Sequence, residues 1–316
     1  MASPIKSKYL VGLAHIGAFI TASAWGSSFL STKVLMADGG FSPVEMYVYR
    51  FAAAYFLLLC FTFRHIFANN WRDELQLMLC GICAGSLYFI TENYALENTT
   101  TGNVSLLASV SPLFTAAIMA LVFRVKIGSG VVIGSLIAFV GVACVIFSNG
   151  DGFEIKPKGD LLALSAALSW AVYSLAAKRI IPLYSGLFIT RKLFFYGVVT
   201  GLPFLFIQHS LSHQPYHLTL LFSMQNPHYL LNFAFLVIFC SLLAYLVWNQ
   251  VMSVLGPVVA NNYLYIQPLV TMIAAYFVLG EKIYPLGYLG CALIIGGLVA
   301  ADKLKISPRR PQLRKM

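Results

Sequence analysis

Polar residues in this chain are gathered into short clusters that separate long apolar runs. The runs read Tyr9–Met36, Pro43–Phe63, Glu74–Ala95, Thr101–Phe123, Ser129–Phe147, Gly159–Ile180, Ser185–Ile207, His228–Met252, Val258–Leu279 and Pro285–Lys303. A helix needs about 20 predominantly apolar residues to cross a bilayer, and each run comes close to that length. Helix breakers fall between them: Asp38-Gly39-Gly40, Asn69-Asn70, Asn149-Gly150-Asp151-Gly152, Gly256-Pro257 and Gly280-Glu281. The pattern predicts an all-α membrane protein of ten transmembrane helices.

Composition points to the same solvent. The chain has 316 residues, 59% of them hydrophobic and 10% charged, with a mean hydropathy of +0.80. A soluble domain carries about 25% charged residues to cover its surface, so lipid is the expected surroundings. The net charge of +10 is spread over loops and the tail residues Lys303, Lys305, Arg309, Arg310, Arg314 and Lys315. A basic stripe interleaved with exposed aromatics, the mark of a nucleic-acid surface, is missing, so the partner is the bilayer and no nucleic acid is expected. Basic residues collect on the cytoplasmic side of membrane proteins. With the N-terminus inside, Lys6, Lys8, Arg64, Arg72, Arg124, Lys126, Lys178, Arg179 and the six tail residues lie inside, against Lys33, Lys156, Lys158 and Lys282 outside. Both termini are therefore expected in the cytoplasm. The first run has no small-residue cleavage site after it and is expected to remain as a helix. The cysteines Cys60, Cys80, Cys83, Cys144, Cys240 and Cys291 lie in apolar runs and read as buried, inert thiols.

The two halves repeat. Shifted by 156 residues, Asn93 meets Asn249, Pro112 meets Pro268, Thr115 meets Thr271, Gly134 meets Gly290 and Gly141 meets Gly297, without a gap. Trp25…Lys33 and Trp170…Lys178 share a spacing, with Arg50 and Arg191 at matching places in the next helix. This divides the chain into a first five-helix repeat, 1–148, a second, 159–303, and a basic cytoplasmic tail, 304–316. An odd number of helices per half makes the second enter from the opposite side, and inverted repeats of this kind are the architecture of alternating-access transporters.

Val110-Ser-Pro-Leu-Phe-Thr-Ala-Ala and Gln267-Pro-Leu-Val-Thr-Met-Ile-Ala-Ala-Tyr-Phe-Val-Leu-Gly-Glu281-Lys resemble the repeat motif of EamA-type transporters, within the drug/metabolite transporter superfamily. Ala24-Trp25-Gly26-Ser27-Ser28-Phe29 and Ser42-Pro43…Tyr49-Arg50-Phe51 resemble that family too. The resemblance covers nearly the whole chain. It implies a ten-helix basket of two inverted repeats around a central cavity, lined by the first, third and fourth helices of each half, in the cell inner membrane. It implies a small-molecule substrate and leaves the cargo open among amino acids, nucleotide-linked metabolites, sugars and drugs. In one departure, Gly280-Glu281-Lys282 has Arg124-Val125-Lys126 as its first-half counterpart, so the acidic member is present once.

Glu92 stands out, because an ionisable group at membrane depth is costly and marks function by default. Tyr88 shares its face at i, i+4. Glu92 would hold a substrate amine or a coupling proton; the alternatives are a helix-end cap or a partner for Arg50. The residues put forward for substrate contact are Trp25, Tyr88, Glu92, Asn93, Trp170, Tyr173, Tyr245, Trp248, Asn249, Asn261 and Tyr265. Apolar walls with a few placed polar groups make small-molecule sites, and the aromatics suit an aromatic or cationic cargo through cation–π contact. The competing reading of each is interhelical packing. Pro112 and Pro268 remove a backbone donor in the fourth helix of each half and are the candidate hinges. The paired glycines read as close helix packing, which leaves a monomer or a homodimer. Arg50 and Arg191 read as counter-charges in the path or as donors to backbone carbonyls.

His209, His213 and His217 have metal-like spacing, but Pro215 interrupts the helix it needs, so neither metal nor cofactor is expected. An intramembrane enzyme would show paired catalytic groups such as HExxH or GxSxG, and a channel a filter motif; neither appears. Walker A glycines are missing as well. The expected function is a secondary carrier, exporting amino acids or related amine-bearing compounds, with a drug or nucleotide-type carrier as the alternative.

Overall fold

The computed structural model describes residues 8–38, 40–63, 66–99, 101–148, 156–212, 217–219, 227–279 and 284–303. The loop around Asn149–Gly152, the Gly280-Glu281-Lys282 motif, His213 and the tail 304–316 lie outside them.

Ten helical stretches follow one another along the described chain. We number them α1 (Lys8–Lys33, with a π turn over Val34–Asp38), α2 (Pro43–Thr62), α3 (71–98), α4 (101–121), α5 (Ser129–Phe147), α6 (Pro157–Ile180), α7 (Gly186–Ser212), α8 (227–255), α9 (257–279) and α10 (Pro285–Lys303). Their starts carry recognisable signals. Ser42 and Glu45 form a reciprocal capping box at α2, satisfying two orphan amide donors. Asn70 caps α3, and Pro157 opens α6, where a missing N–H costs nothing. Gly256, at φ +79, takes the left-handed backbone that lets Pro257 start α9 one residue after α8 ends.

Seven of the helices, α1, α2, α3 and α5 through α8, are long and apolar enough to cross a membrane. Of the other three stretches, α10 is an unbroken helix over Pro285–Lys303 as expected, whereas α4 and α9 are broken. α10 is apolar over the shorter stretch Pro285–Ala301. α4 divides into Thr101–Ala108 and Ser111–Leu121, and α9 divides around a 3₁₀ turn at Tyr263–Tyr265. Both restarts carry the paired prolines. Pro112 lies in the first turn of the new helix, and Pro268 is the third residue of Ile266–Leu279. The prolines therefore begin a helix after a break, where they are tolerated, instead of kinking a continuous one.

Outward faces are apolar: Phe56, Phe61, Ile133, Leu136, Val140, Ile295 and Val299 are all exposed. Cys60 is on this outer surface too, which corrects its reading as buried; Cys80, Cys83 and Cys240 are buried as expected. α2 and α7 run antiparallel: Ser42 bonds Gln208 at one end, Phe51 meets Phe194 at 4.6 Å, and Arg191 bonds the Thr62 oxygen at the other. Their core is continuous with α1, α3, α6 and α8.

α5 and α10 pack on one another through their glycines. A Cβ at Gly134 would lie 2.5 Å from the Gly297 carbonyl oxygen, and one at Gly141 would lie 2.8 Å from that of Gly290. Only hydrogen side chains permit such an approach. The glycine faces are consequently occupied within the chain and are not open for pairing two copies.

Candidate functional site

Aromatic-rich faces of four helices meet at the centre. Trp25 of α1 contacts Trp170 of α6 at 5.3 Å, and Tyr245 and Trp248 of α8 at 5.5 Å and 5.1 Å. Tyr88 of α3 lies 5.4 Å from Trp170, and Tyr173 lies 5.1 Å from it. The angles are mostly edge-on or tilted, as the ring quadrupole favours. Of the residues that sequence put forward, these six form one box.

The box is anchored by carbonyls in two π-helical turns, Ile82–Ser86 of α3 and Leu236–Leu243 of α8. Shifted by 156 residues, the first falls inside the second. A π turn widens the helix and is a frequent mark of functional sites. Here its carbonyls accept from side chains. Trp25 Nε1 donates to the Cys240 oxygen at 2.8 Å, Tyr245 Oη to the Ala84 oxygen at 3.3 Å, and Ser169 Oγ to the Cys83 oxygen at 2.6 Å.

Other polar atoms in the box have no partner among the described residues. Trp170 Nε1, Trp248 Nε1 and Tyr173 Oη are buried without a hydrogen bond, as is Asn249 Oδ1 beside them in sequence. Asn249 Nδ2 donates to Thr190 Oγ1 at 2.9 Å, so that amide is held on one side only. A buried polar group left unmatched costs about 1–3 kcal/mol.

Glu92 is 7% exposed, and Tyr88 Oη donates to its Oε1 at 2.8 Å. It neither caps a helix end nor pairs with Arg50. Arg50, from α2, donates through Nε to Ser241 Oγ at 2.5 Å and through Nη2 to the Cys240 oxygen at 3.2 Å. Its guanidinium lies over the Phe89 ring at 5.5 Å. The Cys240 carbonyl thus joins Arg50 to Trp25.

The remaining sequence candidates go elsewhere. Asn93 Nδ2 ties α3 to the Pro43 oxygen of α2 at 3.0 Å. Asn261, at the break in α9, donates to Thr115 Oγ1 at 2.7 Å and to Ser174 Oγ at 3.1 Å, joining the broken helices to α6. Tyr265 belongs to a separate core with Leu106, Val142 and Ile294. Arg191 donates to the Thr62 carbonyl oxygen, and Lys192 pairs with Glu74. His217 bonds Glu45 through its backbone N–H at 2.9 Å and its Nδ1 at 3.0 Å. Sequence reasoning did not find the π turns, Ser241 or the Cys240 carbonyl. The small-residue run Cys83-Ala84-Gly85-Ser86 was the only available hint.

The profile of the EamA-like transporter family matches residues 12–147 and again 157–301. The chain belongs to this family. Its relatives include an uncharacterized transporter of Archaeoglobus fulgidus, 26% identical over 273 residues that cover 85% of this chain and 90% of the relative. Another is a probable terminal-alkyne amino-acid exporter of Streptantibioticus cattleyicolor, 25% identical and covering 76% of each chain. A solved crystal structure superposes with a TM-score of 0.71 at 19% identity, covering 92% of this chain and 96% of that one; it has the same fold. This EamA-like transporter is therefore a multi-pass helical membrane protein whose substrate is a small molecule, and the central box is the candidate place for it.

Proposed function

We propose that this EamA-like transporter is a secondary carrier that exports amino acids or related amine-bearing metabolites by alternating access, with Glu92 exchanging a coupling proton. The observation that carries the reading is the box itself: aromatic walls, two unpartnered indole N–H groups, a free tyrosine hydroxyl and one buried carboxylate. Tryptophan and tyrosine faces attract a cation, and a carboxylate would hold it or give it up on protonation. The exporter relative is named for an amino-acid cargo, which agrees with this chemistry.

The carrier has ten spans in two inverted halves, 1–148 and 159–303, embedded as a monomer in the inner membrane with both termini and the basic tail inside. The family profile matches once in each half. Support comes also from the α5–α10 contact, because a 156-residue shift carries the pair Gly134–Gly297 onto Gly290–Gly141. Two antiparallel helices exchanged by one operation are what a two-fold axis in the membrane plane produces. The same shift carries the break at Ser109–Val110 onto Tyr265–Ile266. The paired restarts at Pro112 and Pro268 are then the hinges, and the two packings of one sequence are the two access states.

Counterflow of labelled amino acids into proteoliposomes, with and without a pH gradient, tests the reading. Saturable, gradient-responsive uptake that becomes gradient-independent in Glu92→Gln is expected. Gradient-responsive uptake unchanged by that substitution removes Glu92 from coupling, and uptake of no amino acid removes the cargo.

A further inference from the structure

Arg50 is buried at 7% exposure, yet its two hydrogen bonds go to neutral acceptors, Ser241 Oγ and the Cys240 oxygen. Its Nη1 has no partner among the described residues. A guanidinium carries five donors and a fixed charge in a fork that fits a carboxylate bidentately. Burying one against neutral groups alone leaves most of its capacity unused, and an ionisable group at this depth is costly. The buried acid Glu92 is bonded to Tyr88 and not to Arg50. Trp25 shares the Cys240 acceptor with Arg50, so the guanidinium borders the aromatic box. Separated buried charges of opposite sign, both beside the aromatic box, match a molecule that carries both signs itself.

We infer that Arg50 receives the carboxylate of a zwitterionic α-amino-acid cargo whose ammonium group is taken by Glu92. This rests on the carrier reading above and deepens it, since it limits the cargo to compounds with a free carboxylate. The two indole N–H groups of Trp170 and Trp248 add donors for the same end, and the box rings cover the side chain. Ser241 and the Cys240 carbonyl hold the guanidinium in place by its other edge.

The test uses the full chain in proteoliposomes with L-phenylalanine, its methyl ester and 2-phenylethylamine, in counterflow against loaded L-phenylalanine. Wild type is expected to take the amino acid and to discriminate against both analogues. Arg50→Gln is expected to weaken uptake of phenylalanine by about 10- to 100-fold, the worth of a charge-assisted pair, and to bring the three probes level. Arg50→Lys keeps the charge without the fork, so it should retain part of the discrimination; it carries the test if Arg50→Gln does not fold by size-exclusion chromatography. Tyr196→Phe, which touches Glu74 and not Arg50, should preserve the order of the probes. Wild-type uptake of the ester and the amine equal to that of phenylalanine overturns the inference while the carrier stands. So does an Arg50→Gln that lowers all three alike. Uptake of none of the three by folded wild type overturns the inference and the amino-acid reading together.

Discussion

Two buried sets of charged groups in this protein are built differently. At one end of the bundle Glu74 of α3 accepts from Lys192 and Tyr196 of α7, while its second oxygen accepts the Ala68 N–H at 2.7 Å. Both charges are in direct contact, and each carboxylate oxygen has a donor. At the central box Arg50 and Glu92 stand apart, each bonded to neutral groups, beside four polar atoms with no partner among the described residues. A paired buried charge locks two helices. Two separated ones cost the fold and are retained where something else uses them. The first set therefore reads as structure and the second as function.

Breaking the first set should cost most in stability. Lys192→Ala leaves Glu74 buried without its cation, a loss of about 3 kcal/mol or more, visible as a large fall in the melting temperature in detergent. Glu92→Gln should leave melting nearly unchanged while removing gradient-driven uptake, because the amide keeps the Tyr88 contact and loses only the titrating group. Replacing the pair as a whole by Glu74→Leu with Lys192→Met should cost less than Lys192→Ala, since a buried ion pair is often matched by apolar residues and only the Tyr196 hydroxyl and the Ala68 N–H lose their acceptor; counterflow should persist. Tyr196→Phe removes one donor of the Glu74 carboxylate and should cost about 1 kcal/mol, measured by the same melt, with transport unchanged. A reversal of this order, with Glu92→Gln unfolding the chain and Lys192→Ala silencing transport in a stable protein, would exchange the two assignments.

Much of the frame was legible in the sequence. Low charge content marked lipid as the solvent, breakers separated the helices, and the repeated Pro, Gly and Asn positions showed two related halves. Aromatic residues spaced along single faces were enough to name six members of the box. The partners were not legible. Helical periodicity says which residues share a face and nothing about which face meets it, so Asn93 was grouped with the box although it bonds the α2 backbone. The glycines seven apart announced a close contact without revealing that α5 and α10 make it with each other. The π turns in α3 and α8 arise where tertiary contacts draw carbonyls away from the helix ladder, and no residue type specifies them. Arg50 looked like any arginine in an apolar run until Ser241 and the Cys240 carbonyl were found to hold it.

Four tryptophans make one experiment direct. Trp25, Trp170 and Trp248 are in the box, whereas Trp71 is 73% exposed at the start of α3. In a Trp71→Phe background the indole fluorescence comes from the candidate site alone. Titrating L-phenylalanine into that protein in detergent should give a saturable change in intensity or wavelength, shifted to higher concentration by Arg50→Gln. A flat titration with folded protein that still transports phenylalanine would place the cargo elsewhere and contradict the account.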